Sequence, residues 1–165
     1  MNEKQLISEA INEVKVADHM LTMTYPLIRD PKMLIAILQK LLNASNKALD
    51  TAIRLEYEWK RINAIPQNFN AKIDILRKGF IKEYNFTNQE IKTVKDIYRI
   101  ILEHKNASIE FSRHEKFIIS DNDYRLRTIS VDQIKRYIPL VKSFIEKIYK
   151  RVENHESWKN KTLYR

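Results

Sequence analysis

Hydrophobic residues recur every three or four positions along most of the chain, which predicts amphipathic helices. Pro26 should end the first helix, because the residue before a proline is disfavoured in helical conformation. Pro31 suits the first turn of the second helix, and Thr87 with Glu90 forms a capping box that opens the fourth. Four helices are therefore predicted in the first two thirds of the chain, at about 3–24, 32–62, 71–84 and 88–105.

The pattern changes in the last third of the sequence. Two short β-prone runs flank Asp121-Asn122-Asp123, which predicts a hairpin over about 115–129. Ser130 then caps a fifth helix, in which Pro139 should introduce a kink or mark a false start. We predict an all-α fold: a bundle of about five amphipathic helices with a small β-hairpin insertion before the last helix. Residues 1–155 should form a single domain, and the basic tail over 156–165 should fray.

Composition narrows the class of protein. The chain has no cysteine, which excludes a disulfide and a thiolate metal site and is typical of a reducing compartment. The start of the sequence has no apolar run of the kind found in signal peptides. No later run approaches the roughly 20 apolar residues of a membrane-spanning helix. We therefore expect a cytoplasmic protein that does not enter a membrane.

The positive charge is concentrated near the C-terminus. The formal net charge is +9, and residues 113–165, with 13 basic and 7 acidic side chains, account for +6 of it. Such a surface favours RNA or another polyanion as a partner. Phe117 and Tyr124 lie among these charges and are available to stack on bases, or alternatively to pack the hairpin onto the bundle. The candidate contacts are Arg113, Lys116, Arg125, Arg127, Lys135, Arg136 and Lys142.

Acidic and histidine residues give weak indications of a metal or cofactor site. No two of the four histidines have the spacing of metal ligands on a helix. Glu56 and Glu58 in the second helix are either a carboxylate pair for metal or acid–base chemistry or, as we prefer, part of a solvated face. Asp121 and Asp123 resemble the start of a calcium loop, but Leu126 occupies the position where such loops need glycine. We predict neither metal nor cofactor.

One short stretch, "YRIILEHKN" at 98–106, contains the candidate catalytic residues. Its Arg99 and His104 are an Arg-x4-His pair near the end of the penultimate helix, and this arrangement resembles the HEPN superfamily. The resemblance implies a small helical protein, commonly a homodimer, that acts either as a metal-independent ribonuclease or as a binding module. In a ribonuclease, Arg99 would neutralise the scissile phosphate and His104 would transfer a proton. Ile100 follows the arginine, where active members usually have a polar residue.

Three functions follow from the sequence. The first is binding of RNA or another polyanion through the C-terminal third, by a homodimer with no catalytic role. The second is ribonuclease activity by Arg99 and His104. In a continuous helix these two side chains lie on different faces. They can act together only if the helix ends or twists between them, or if a second subunit brings the two groups together. The third is a scaffold whose long second helix packs against a partner chain.

Overall fold

The computed structural model describes residues 2–163 and is mostly helical, with a small antiparallel sheet before the last helix. This confirms the predicted all-α class with a β insertion. Among the described residues, no helix is both long and apolar enough to cross a membrane. The elements are α1 (Glu3–His19), a π-helical segment (Met20–Thr24), α2 (Tyr25–Ile28), α3 (Lys32–Glu58), α4 (Phe69–Gly79), α5 (Ile81–Tyr84), α6 (Asn88–Lys105), β1 (Ile109–Arg113), β2 (Lys116–Ser120), β3 (Leu126–Ile129) and α7 (Val131–Leu163).

The central element of the core is α3, which packs against α1, α4, α6 and α7. Its apolar residues are buried on several sides, including Leu38, Leu41 and Ile53. A helix surrounded in this way leaves no continuous apolar face for another chain. The burial of α3 inside one bundle therefore counts against the hypothesis that this helix is a scaffold surface.

The first helical stretch continues past the proline at which it was predicted to end. The π-helical segment leads directly into α2, where Pro26 occupies one of the first two positions. The path stays helical although Pro26 has no N–H to donate, and the π-helical segment before it ends with a hydrogen bond from the Tyr25 N–H to the Met20 carbonyl. The helical path ends instead at Arg29, which adopts a left-handed conformation with φ of 53°.

A buried carboxylate links the end of α3 to two later helices. Glu56 has no solvent exposure, and its Oε1 accepts a hydrogen bond of 2.8 Å from the Tyr84 hydroxyl. Arg61 Nη1 lies 3.1 Å from Oε2, and Arg151 Nε lies 3.6 Å from Oε1. Arg151 also lies over the Trp59 ring, 4.6 Å from its centroid. Glu56 is thus a structural ion, which corrects both predicted roles for it; Glu58 remains exposed and pairs with Lys159.

A second carboxylate joins α6 to α7. The predicted capping box is present, with Glu90 accepting from the Thr87 N–H at 2.9 Å. Glu90 also accepts from Ser143 and from Lys147, whose Nζ lies 2.7 Å away. Burial alone would raise the pKa of Glu90, but the bonds from Lys147, Ser143 and Thr87 together hold it below its usual value. The carboxylate is therefore ionised while it caps α6 and anchors α7.

The last helix is longer than predicted. Ser130 accepts a hydrogen bond from the Gln133 N–H, as expected for the N-cap, and the helix passes through the exposed Pro139 without ending. It also continues to Leu163, through most of the tail that was predicted to fray. Ion pairs from Glu156 to Lys4 and from Lys159 to α3 hold this extension against the bundle. Residues 164 and 165 of the predicted tail lie outside the described residues.

The sheet contains three strands where a two-stranded hairpin was predicted. The strands run antiparallel in the order β1-β2-β3, and the turn between β2 and β3 is the predicted one. Asp121 shapes that turn, because its carboxylate accepts hydrogen bonds of 2.9 Å from the N–H groups of Asp123 and Arg125. Phe117, Ile119 and Ile129 are buried and attach the sheet to the bundle.

We expect the Tyr84→Phe substitution to lower the free energy of unfolding by about 2 kcal/mol, because Glu56 would lose a hydrogen bond to a buried charge. Urea unfolding followed by circular dichroism measures this loss. Tyr57→Phe is the matched control, since Tyr57 is exposed on α3, next to Glu56, and the change should stay within about 0.5 kcal/mol. Equal stability of Tyr84→Phe and wild type would contradict a structural role for the network.

Candidate nucleic-acid interface

The sheet has one face on the bundle and one face directed outward. Residues directly opposite each other on neighbouring strands share a face, so the register assigns each side chain to a side. Phe111 lies opposite Ile118, which lies opposite Thr128, and this row is on the side away from the buried Phe117. We call this side the outer face of the sheet. It carries Ile109, Phe111, Arg113, Lys116, Ile118, Ser120, Leu126 and Thr128, of which Ser120 is buried.

The outer face is apolar along its centre and remains accessible. Phe111 is 41% exposed, and Ile109 and Leu126 are more exposed than Phe111. Exposed apolar side chains grouped on one surface are typical of a site that binds a partner. Sequence reasoning missed Phe111 because β1 was taken as a connection. The alternation of Ile109, Phe111 and Arg113 with polar residues is the period-two signal that could have found the strand.

Two of the predicted basic contacts lie together at one end of the outer face. Arg113 and Lys116 are directly opposite each other, and both are exposed. The two residues between them, His114 and Glu115, have φ of 49° and 60°. Positive φ at both central residues is what a type I′ hairpin turn requires. This tight turn brings the two cations into one positive group about two residues from Phe111.

At the opposite end of the sheet, some of the predicted contacts are exposed and others bond to the bundle. Arg125 is exposed, and the neighbouring Tyr124 is 83% exposed. Arg127 lies on the inner side, where Nε and Nη2 each donate a 2.8 Å hydrogen bond to Glu103 of α6. These bonds raise the pKa of Arg127 and attach β3 to α6. Of the two aromatics in the prediction, Phe117 is buried and only Tyr124 is accessible.

The basic residues of α7 are exposed but spread over more than one surface. Lys135 and Lys142 are seven residues apart and lie on one side of the helix, while Arg136 lies about 100° around it. Lys142 lines a small groove with Ile11 and Val14 of α1. It is also about 16 Å along the helix from Val131, where the sheet connects. The predicted basic set is therefore a compact pair on the sheet plus dispersed charges on α7.

Arg99 and His104 occupy one uninterrupted helix. α6 continues to Lys105, so five residues of regular helix place the two side chains about 140° apart. Arg99 is 59% exposed and lies 3.9 Å from Asp96, whereas the His104 Nδ1 is hydrogen-bonded to Glu110 of β1. Each side chain thus has its own carboxylate partner.

Other chemical features of the site are limited. In the part of the chain that the structure describes, no group of three or more His, Cys, Asp or Glu side chains is arranged to hold a metal ion. A groove of about 480 Å³ between α6 and β3 is lined by both charges and apolar groups, including Asn106, Asp121 and Arg125. The outer face of the sheet, with its cations and aromatic ring, is therefore the surface best suited to a charged and planar ligand.

Comparison with known proteins gave no relative. No family model, no curated protein and no solved structure matches this chain. The functional assignment therefore depends on the geometry of the site itself.

Proposed function

We propose that this protein binds single-stranded RNA in the cytoplasm, through the outer face of its sheet. The observation that supports the proposal is the exposed Phe111 ring on the same face as the cationic pair Arg113 and Lys116. Aromatic rings on a sheet stack with unpaired bases, and nearby cations contact the phosphates between them. Phe111 and Arg113 are two residues apart on β1, so the aromatic ring and a cation lie about 7 Å apart along one strand.

An unpaired strand fits this surface better than a duplex. A phenyl ring needs the flat face of a base, which is covered by neighbouring bases in a double helix and accessible in a single strand. A purely electrostatic surface for duplexes would instead need a long row of cations and no exposed aromatic ring. Phe111 therefore favours single strands, and Arg127 is excluded as a contact because Glu103 holds its guanidinium.

We expect the double substitution Arg113→Glu/Lys116→Glu to weaken binding of a single-stranded RNA 10-mer at least tenfold. The slope of log affinity against log salt concentration should also become shallower by about 1.4, because each phosphate contact on a single strand contributes about 0.7. Fluorescence anisotropy at several salt concentrations measures both quantities.

The control for this experiment is Lys78→Glu/Lys82→Glu, which makes the same change in net charge at two exposed lysines of α4 and α5. A general charge effect would weaken binding equally in both double variants. Equal losses would therefore reject the outer face as the binding surface.

We expect Phe111→Leu to reduce affinity for the same RNA about tenfold, because stacking of one base is worth about 1–3 kcal/mol. Leucine keeps apolar area but has no aromatic face. Phe111→Tyr keeps the ring and should bind as wild type does. If leucine and tyrosine variants bind equally well, the ring does not stack on a base and the contact is only hydrophobic.

The second candidate is the HEPN-like ribonuclease, which one contact favours. Glu110 hydrogen-bonds the His104 Nδ1 and so fixes the orientation of the imidazole ring, as carboxylates do for catalytic histidines. Because Arg99 projects from a different side of α6, a shared site needs an arginine from a second copy of the chain. The exposed Met23 and Leu27 on the first helical stretch support a homodimer.

For this candidate we expect cleavage of end-labelled single-stranded RNA by the wild type in EDTA, and none by Arg99→Ala/His104→Ala. A sequencing gel separates the products. Mixing Arg99→Ala with His104→Ala should restore part of the activity if two subunits build the site. Cleavage that persists in the double variant would assign it to a contaminant or to other residues.

A further inference from the structure

A cleft of about 450 Å³ adjoins the outer face of the sheet at the end that carries the cationic pair. It lies between the end of α2, the β1–β2 turn and the first turn of α7. Lys116 belongs both to the outer face and to the lining of the cleft. A strand bound on the sheet would therefore pass the mouth of this cleft.

Tyr25, one of the residues that line the cleft, carries a buried hydroxyl group with no hydrogen-bond partner among the described residues. Tyr25 is only 6% exposed, and its Oη has no hydrogen bond among the described residues. Among all the residues that the structure describes, three other buried polar atoms also lack a hydrogen bond, and they belong to Glu13, Glu56 and Arg151. Each of those three lies within 4 Å of an oppositely charged group, whereas Tyr25 has no such partner. An unpaired buried hydroxyl destabilises the fold, and a ligand that bonded to it would remove this cost.

The charges of the lining face this hydroxyl. Burial and the charge of Glu115 raise the pKa of Tyr25, and Arg29 opposes them. Arg29, His114 and Glu115 are three of the six non-glycine residues with positive φ in the described chain, and all three line the cleft. Arg29 also ends α2, and His114 with Glu115 forms the tight turn, but residues held in sparsely populated backbone conformations cluster at functional sites.

The lining suits an uncharged ligand that both donates and accepts hydrogen bonds. Arg29 and Lys116 are balanced by the carboxylates of Glu115 and Asp132. Asp132 also occupies the first turn of α7, where an anion would otherwise be attracted by the helix dipole. A phosphate would be repelled by both carboxylates, whereas the edge of a nucleobase presents donors and acceptors without net charge.

We infer that this cleft receives one unpaired base of the RNA strand bound on the outer face, with the Tyr25 hydroxyl hydrogen-bonded to the edge of that base. This inference depends on the proposed function. Lys116 contacts the phosphate beside the inserted base. The sheet then binds RNA of any sequence, and the cleft adds a preference for one base.

The test uses four labelled RNAs: a uridine 10-mer and three versions with a single central A, C or G. Fluorescence anisotropy of the wild type should show one RNA bound at least tenfold more tightly than the weakest. Tyr25→Phe should bind all four within about twofold, at the affinity of the weakest, with an unchanged or higher midpoint of thermal unfolding. Tyr84→Phe is the control, because it loses a partnered hydroxyl: its midpoint should fall and its preference should persist.

A second variant separates recognition from folding. His114→Asn/Glu115→Gly installs the pair that type I′ turns favour, so the midpoint of thermal unfolding should rise while the base preference disappears. Lys60→Gly relieves another positive φ, of 57°, outside the cleft, and should raise the midpoint without changing the preference.

RNA binding without base preference in the wild type, or with the preference retained in Tyr25→Phe, would overturn the role of the cleft alone. No binding of any RNA would overturn the proposed function.

Discussion

The carboxylate of Glu56 is the buried charge around which the helix ends are arranged. An ion without solvent exposure is stable only if opposite charges and hydrogen bonds replace water, and the partners of Glu56 come from distant parts of the chain. Tyr84 ends α5, Arg61 follows α3, and Arg151 lies late in α7. Since Glu90 anchors α7 a second time through Lys147, four residues earlier, the middle of this long helix is fixed. Its first turn is then held in a definite position relative to the sheet that precedes it.

The sheet divides its side chains between attachment and exposure. On the inner side, Arg127 bonds to Glu103 and Glu110 bonds to His104, so these polar side chains attach the sheet to α6. The outer side carries Phe111 and the cationic pair, which have no such partners among the described residues. Because strand residues alternate between the two sides, neighbours in sequence have opposite roles. A basic residue count alone cannot distinguish an arginine that attaches a strand from one that is free to bind.

Local patterns in the sequence were sufficient for the helices and insufficient for the site. The capping box of Thr87 and Glu90 and the turn at Asp121 were predicted because each depends on residues within four positions. Glu56 was misassigned to a solvated face because its partners lie 5, 28 and 95 residues away. Arg127 was placed in the interface for the same reason, since Glu103 is 24 residues distant. The strand β1 was missed because five residues of alternation between a helix and a turn are a weak signal.

Two buried tyrosines differ in whether their hydroxyl groups stabilise the fold. The Tyr84 hydroxyl donates to an ion, so its presence is explained by the structure alone. The Tyr25 hydroxyl has no hydrogen bond among residues 2–163, and phenylalanine would fill the same space without an unpaired polar atom. The adjoining turn adds to this cost, because His114 and Glu115 adopt conformations that asparagine and glycine would adopt with less strain. Two unfavourable features that meet in one cleft, beside a cationic aromatic surface, are best explained by a ligand that satisfies them.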